Sequence, residues 1–426
     1  MSFFADGDIN LDDYIVETYF FESTIDPKEA AEHLCQEQST AQWKRVGVDE
    51  DLRTKHGAKI LDLRIIEKSP SEPANLRTCE PANPSWCEVK IAHPHINFGA
   101  KIPNLLTAAA GEGAFFSPGI TTIKLTDIEF PEKFVNQFEG PMFGIKGLRG
   151  HCNIINRPFF IGVVKPNIGL SPKDFAKLAF EAWVGGLDIA KDDEMLSDAP
   201  WSSLSERTKL CAEAAKKAED LTGEKKMFLA NITDEVDELL RLHDLAVKNG
   251  AGMVMVNVMA VGLSAVRMLR KHSKVPIVAH FDFIAPMSRL PFHGISSELL
   301  TKLQRIVGCD IIIMPGFGER MKTSDTEVLS NVNECNRHLG KLKSSLPTPG
   351  GSDWAGTLPS VYDKLKTFDF GFVPGRGVFG HPMGPKGGAQ SLRQAWEAIL
   401  NGISLTEHSK NNPELKSALD LWSARS

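Results

Sequence analysis

The chain has no long apolar run: none of its 426 residues lies in a stretch approaching 18 uninterrupted hydrophobic positions, the length a bilayer-spanning helix needs. No membrane partner is expected. Basic residues are not in excess either. Lys and Arg number 48 against 54 Asp and Glu, a net charge of -6, and no basic tract or basic-aromatic patch stands out, so nucleic acid is not an expected partner. The seven cysteines (Cys35, Cys79, Cys87, Cys152, Cys211, Cys309 and Cys335) are scattered, odd in number and never spaced C-x-x-C. They read as reduced thiols of a cytoplasmic protein, with Cys79 and Cys87 alone placed to face each other across a hairpin. Met1–Asp8 lacks both a positive segment and an apolar core, so no secretory leader is expected. There is no low-complexity tract. What remains, 42% hydrophobic and 24% charged, is globular composition with length for two or more domains.

From about residue 158 a rhythm sets in. Apolar runs recur at 158–165, 186–194, 226–231, 253–258, 275–280, 310–314, 345–348 and 369–373, with helical patterns between them. Continuous apolar runs, rather than alternating ones, mark parallel strands buried on both faces. Ser171-Pro172-Lys173-Asp174 supplies a capping Ser, a first-turn Pro and an acid three residues on. Phe175, Leu178, Ala179, Ala182 and Trp183 then share a face until Gly185-Gly186. A second helix is expected to open at Asp234 and close at Asn249-Gly250. Eight strands alternating with helices over roughly 250 residues predict an α/β fold of the (β/α)8 TIM-barrel type. A doubly wound sheet would carry a glycine-rich turn after its first strand, where this chain has Lys165-Pro166-Asn167-Ile168-Gly169. The preceding residues differ: strand-like Tyr14–Phe21 and Cys87–Ala92, a helix after Asp26-Pro27-Lys28-Glu29 and an exposed loop near 68–86 describe a smaller α+β domain. The expected division is 1–146 and 147–426.

The second apolar run, from Gly186, ends abruptly in Lys191-Asp192-Asp193-Glu194. Alternation along a strand points Lys191 and Asp193 the same way, and Glu194 follows into the loop. Carboxylates at a strand end suit Mg²⁺. A protonated lysine among them would repel the ion. A buried lysine loses its proton more readily and can carry CO₂ as a carbamate, another oxygen ligand. Alone, such a charge run would read as a solvated loop. The ends of the other runs decide otherwise, because barrel active sites lie at the carboxyl ends of the strands. These ends carry Lys165, Asn231 and His280. The last two runs lead into Pro349-Gly350-Gly351-Ser352 and Pro374-Gly375-Arg376-Gly377, turns whose backbone N–H groups can cradle a phosphate.

At this point the chain resembles the RuBisCO large-chain family, and within it the type IV, RuBisCO-like proteins. The resemblance rests on Gly186–Glu194, Val163–Ser171 and Gly375–Gly384, with Glu37-Gln38-Ser39-Thr40-Ala41-Gln42-Trp43 similar to the family's amino-terminal active-site segment. It implies a ferredoxin-like domain ahead of the barrel, Mg²⁺ held by carbamylated Lys191, Asp193 and Glu194, and a homodimer in which Glu37 and Trp43 reach the partner's barrel mouth. The departures are as informative. The family's second lysine of the first strand is Asn167, and the arginine after the fifth-strand histidine is Phe281. The sixth-strand histidine aligns with Ile313, the mobile-loop lysine with Arg320. The asparagine of the amino-terminal Gly-Asn motif is Pro141, and the serine before the seventh-strand glycines is Pro349.

The expectation is therefore a RuBisCO-like protein without carboxylase activity, which uses Mg²⁺ to enolise or isomerise a sugar monophosphate, with sulfur metabolism as the implied setting. Lys165, Lys191, His280 and Glu37 are the candidate catalytic residues. Trp43, Asn167, Gly350, Gly351, Gly375, Arg376 and Gly377 are candidates for binding the phosphorylated substrate. Two other readings use the same residues: a non-catalytic ligand-binding or regulatory homologue, and a true ribulose-bisphosphate carboxylase.

Overall fold

The computed structural model describes residues 3–5, 7, 9–41, 52–66 and 84–422. Trp43, Cys79 and most of the expected 68–86 loop lie outside them. The chain forms two compact units: 1–138 with 283–303 and 338–342, and 139–282 with 304–337 and 343–426.

The first unit is built on a five-stranded sheet. Its strands are β1 (Tyr14–Ser23), β2 (Lys59–Ile66), β3 (Ser85–Pro94) and β4 (Ile120–Glu129), joined at the edge by β10 (Gly294–Ile295). The order is β10-β4-β1-β3-β2. β1 pairs antiparallel with β3 and β4, and β10 lies parallel to β4 with Gly294 opposite Lys124. The helix Pro27–Glu37 starts where Asp26 accepts the Lys28 N–H at 3.0 Å. Ala30, Ala31, Leu34 and Cys35 are its buried residues, spaced by one helical turn as an amphipathic helix requires.

The second unit is the eight-stranded parallel barrel. Its strands are β5 (Phe159–Val163), β6 (Ile189–Lys191), β7 (Met227–Asn231), β8 (Met253–Asn257), β9 (Ile277–His280), β11 (Ile311–Pro315), β12 (Leu346–Gly350) and β13 (Gly371–Phe372). All eight apolar runs are strands. The hydrogen-bonded order is β12-β11-β9-β8-β7-β6-β5-β13. The ring is nearly closed, and β12 and β13 meet through packing of Gly371 against Thr348. A methyl group on Gly371 would come within 2.3 Å of Thr348 Oγ1, so this seam requires glycine. The helix Pro172–Val184 is capped as expected, Ser171 Oγ accepting the Asp174 N–H at 3.1 Å. The expected helix after Asp234 instead begins at Leu239. Asp234 turns its carboxylate onto the Glu235 N–H at 2.8 Å, a local bond that competes with helix initiation.

The barrel interior is one apolar cluster. Phe159, Ile161, Ile189, Leu229, Met253, Met255, Val278, Ile311, Ile313 and Leu346 are buried in it. Burying each such side chain contributes about 1.5–3 kcal/mol. At the amino ends of the strands ion pairs tie the ring: half-buried Arg157 to buried Asp188 at 2.5 Å, and buried Arg270 to buried Asp310 at 2.8 Å. No helix among the described residues is long and apolar enough to cross a membrane.

Candidate active site at the carboxyl ends of the barrel strands

The interior rows of the barrel turn polar at one end. Counting in twos along each strand, Phe159, Ile161 and Val163 lead to Lys165. In the same way Ile189 leads to Lys191, Leu229 to Asn231, Met255 to Asn257 and Val278 to His280. Side chains two apart share a face, so the rows that fill the core also aim these groups at the mouth.

Lys191 and Asp193 are fully buried. Lys191 Nζ donates to the Asp192 carbonyl at 2.7 Å and lies 3.4 Å from Glu194 Oε2. Burial pushes the Lys191 ammonium toward its neutral form, against the pull of Glu194 and Asp193. Burial also opposes ionisation of Glu194, but Lys191 and His280 outweigh it and hold that carboxyl below its ordinary range. Lys165 Nζ donates to Asp193 Oδ2 at 2.7 Å and to Asn167 Oδ1 at 2.6 Å. His280 Nε2 stands 3.4 Å from the Glu194 oxygen that Lys191 approaches. Lys165 with Asp193, and Lys191 with Glu194 and His280, thus form two paired sets, coupled through the charges of Asp193 and Lys165 felt at Lys191.

Asp192, the third acid of the run, faces elsewhere. Both its oxygens bind the buried Arg207 guanidinium, at 2.7 and 3.1 Å, and Oδ2 accepts the Asn231 N–H at 3.0 Å. Asn231 in turn donates Nδ2 to the Asp193 and Glu194 carbonyls at 3.2 and 2.9 Å. Asp192 and Asn231 therefore hold the turn that presents Asp193 and Glu194.

A cavity of about 980 Å³ opens over this group. Lys165, Asn167, Glu194 and His280 line it, and so do Gly350, Gly351, Gly375, Arg376 and Gly377. Lys191 and Asp193 are not in its lining. They touch it through Glu194 and Lys165. Phe281 and Ile313 are apolar parts of the wall, with the Phe281 ring stacked on His280 at 4.7 Å. Gly375 and Gly377 also answer to packing: a methyl group on Gly375 would meet Lys165 Cε at 3.0 Å, and one on Gly377 would strike the Asp353 carbonyl at 2.4 Å.

Two acids at this mouth were not singled out from sequence. Asp282 Oδ2 lies 3.4 Å from His280 Nδ1, and Glu194, His280 and Asp282 offer ligand atoms within 4.8 Å of one another. Its position two residues after His280 is the signal that could have found it. Asp353 lines the cavity, is buried with no cationic partner among the described residues, and accepts the Val373 N–H at 3.3 Å. Burial pushes its pKa up to about 7. Glu37 lies in the first unit, at the end of its helix, beside a separate cavity of about 790 Å³ lined also by Asn104 and Thr107.

Residues 144–422 match the ribulose bisphosphate carboxylase large chain, catalytic domain, and residues 6–134 match its N-terminal domain. The chain belongs to the RuBisCO large-chain family. It is 55% identical over 419 residues to a ribulose bisphosphate carboxylase-like protein of Chlorobaculum tepidum, spanning 98% of this chain and 96% of that one. Its fold matches an octameric ribulose-1,5-bisphosphate carboxylase/oxygenase of Pyrococcus horikoshii with a TM-score of 0.89 at 27% identity, covering 100% and 96% of the two chains. A rubisco-like protein (MtnW) of Alicyclobacillus acidocaldarius matches with a TM-score of 0.86 at 26% identity, over 96% of this chain and 100% of that one. RuBisCO-like relatives at this identity support the type IV assignment that the departures from the carboxylase pattern implied.

Proposed function

We propose that the protein is a RuBisCO homologue without carboxylase activity that enolises or isomerises a sugar monophosphate with the help of Mg²⁺. The observation that carries the reading is a mixed cavity. Lys165, Glu194 and His280 line it together with the glycine turns, and Phe281 and Ile313 stand where the family's carboxylases carry cations.

The donor set fits Mg²⁺: Asp193 and Glu194 are carboxylates, and burial favours the uncharged Lys191 amine that takes up CO₂ as a carbamate. Bound there, Mg²⁺ supplies Lewis-acid polarisation of a substrate carbonyl and its neighbouring hydroxyl. Lys165, steered by Asn167 and Asp193, holds or moves the proton at the carbon beside that carbonyl. His280 orients the Glu194 carboxylate. Backbone N–H groups of Gly350, Gly351, Gly375 and Gly377 receive one phosphate, with Arg376 beside them. At the other end a second phosphate would be desolvated against Phe281 and Ile313, a cost of several kcal/mol. An alkyl or thioether group there gains about 25 cal/mol per Å² buried. Arg320 keeps the charge of the family's loop lysine but not its compact ammonium. Self-association into a dimer with shared sites, Glu37 and Trp43 coming from the partner, completes the proposal, and the octameric relative supports the self-association.

Calorimetric titration tests the substrate class. A five-carbon monophosphate carrying a methylthio group should bind more tightly than ribulose bisphosphate, and labelled bicarbonate should not be fixed with either. Tighter binding of the bisphosphate, or fixation of label, overturns the proposal.

A further inference from the structure

We propose that His243, Asp244 and His272 form a second metal site, for a borderline divalent cation such as Zn²⁺, apart from the barrel mouth. His243 and Asp244 lie on the helix Leu239–Lys248, and His272 ends the helix Leu263–His272. One carboxylate oxygen, Asp244 Oδ1, stands 2.8 Å from His243 Nδ1 and 2.6 Å from His272 Nε2. The three ligand atoms lie within 4.8 Å of one another. None of these residues lines the cavity that holds Lys165 and Glu194.

The hydrogen bonds around His243 favour one tautomer. Ser273 Oγ has one proton, which it donates to the Val275 carbonyl at 2.9 Å while accepting the Val275 N–H at 3.2 Å. Toward His243 Nε2, 3.0 Å away, it can only accept. With the Ser273 proton on the Val275 carbonyl, Nε2 carries a hydrogen, and a neutral His243 aims the Nδ1 lone pair at a carboxylate oxygen. Two lone pairs at 2.8 Å repel, so a positive centre belongs between them, either a proton or a metal ion. Burial works against the doubly protonated ring, and nearby His272 and Arg270 add to that, although Asp244 favours it. A histidine whose outer N–H is anchored to an oxygen while its other nitrogen faces a carboxylate has the arrangement of a metal ligand.

Two imidazoles and one carboxylate suit Zn²⁺, Co²⁺ or Ni²⁺ better than Mg²⁺ or Ca²⁺. Three protein ligands leave the fourth position to water. Ligands about 2.0–2.1 Å from a tetrahedral ion sit about 3.3–3.4 Å apart, so the cluster must open by about half an ångström at His243 and about three-quarters at His272. Asp244 and His272 have side chains 62% and 39% exposed, which leaves them room to do so. The bound ion would staple the two helices together.

The experiment is Zn²⁺ titration of the full-length protein by calorimetry in saturating Mg²⁺, with Co²⁺ absorbance as a spectroscopic readout. We expect one Zn²⁺ per chain that Mg²⁺ does not displace and that raises the melting temperature. Its affinity should fall by roughly an order of magnitude or more in His272→Ala and in Asp244→Ala, with loss of the visible Co²⁺ bands. Both positions are exposed, so metal-free melts of the two variants should match the parent. Glu194→Gln serves as the control for the other cluster, Glu194, His280 and Asp282, and should leave the Zn²⁺ affinity unchanged. Absence of Zn²⁺ binding, equal binding by His272→Ala, or an affinity that falls with Glu194→Gln instead would overturn the proposal.

Discussion

The proposed chemistry concentrates in one side chain, Lys191. It is wholly buried, beside Glu194 and in the same interior row as Ile189. Burial favours its neutral amine, the form that reacts with CO₂. Labelling with ¹³CO₂ in the presence of Mg²⁺ should place an adduct on Lys191, and Lys191→Ala should abolish both the adduct and Mg²⁺-dependent activity. An unmodified lysine under saturating CO₂ and Mg²⁺ contradicts this. Asp353 gives a pH signature of its own. Its pKa rises from 3.8 to about 7 in the folded protein. Below about pH 4 both folded and unfolded chains hold the proton. Between pH 4 and 7 only the folded chain does, so stability falls as pH rises, by about 4 kcal/mol in full above pH 7. Asp353→Asn removes this dependence. Denaturant midpoints at pH 5 and pH 8 should therefore show the variant gaining on the parent at the higher pH, and equal spacing at both would refute it. Alternation along the strand made Lys191 and Asp193 legible in the sequence. Asp353 was not legible, because its burial depends on Val373, twenty positions away in the chain.

At the scale of elements, the apolar runs were legible because both faces of every barrel strand are buried and so need no polar alternation. The two-residue β10 was not, since pairing Gly294 and Ile295 with β4 leaves no periodic trace in sequence. The helix Pro172–Val184 announced itself through its cap, whereas the one at Leu239 starts without a side-chain cap bond. The pair Asp192–Arg207 joins β6 to the helix Leu204–Thr222, with both side chains fully buried. Removing one partner leaves an uncompensated buried charge, which costs about 3–5 kcal/mol. Arg207→Met should lower stability by that order in denaturant titrations. It should also weaken activity beyond the stability loss, because Asp192 helps hold the turn carrying Asp193 and Glu194. A variant with parental stability and activity would show that the pair does neither.

For the whole molecule, the candidate groups divide between the two units: Glu37 in the first, and Lys165, Lys191, Asp193, Glu194 and His280 in the second. If sites are shared between subunits, mixing inactive Glu37→Ala protein with inactive Lys191→Ala protein should restore activity in heterodimers that pair the intact halves. Full activity from a verified monomer would exclude sharing. The division was legible only through the resemblance to RuBisCO, since nothing in the spacing of residues 37–43 refers to the barrel. The proposed reaction moves a proton beside a carbonyl, and solvent exchange reads that step without needing a complete turnover. The methylthio five-carbon monophosphate is incubated with the protein in D₂O, with Mg²⁺ and bicarbonate, and deuterium at the carbon next to the carbonyl is measured by mass spectrometry. Incorporation that requires Mg²⁺ and is lost in Lys165→Ala is the expected result. Tight binding of that compound without any incorporation would contradict it and would mark the protein as a ligand-binding homologue.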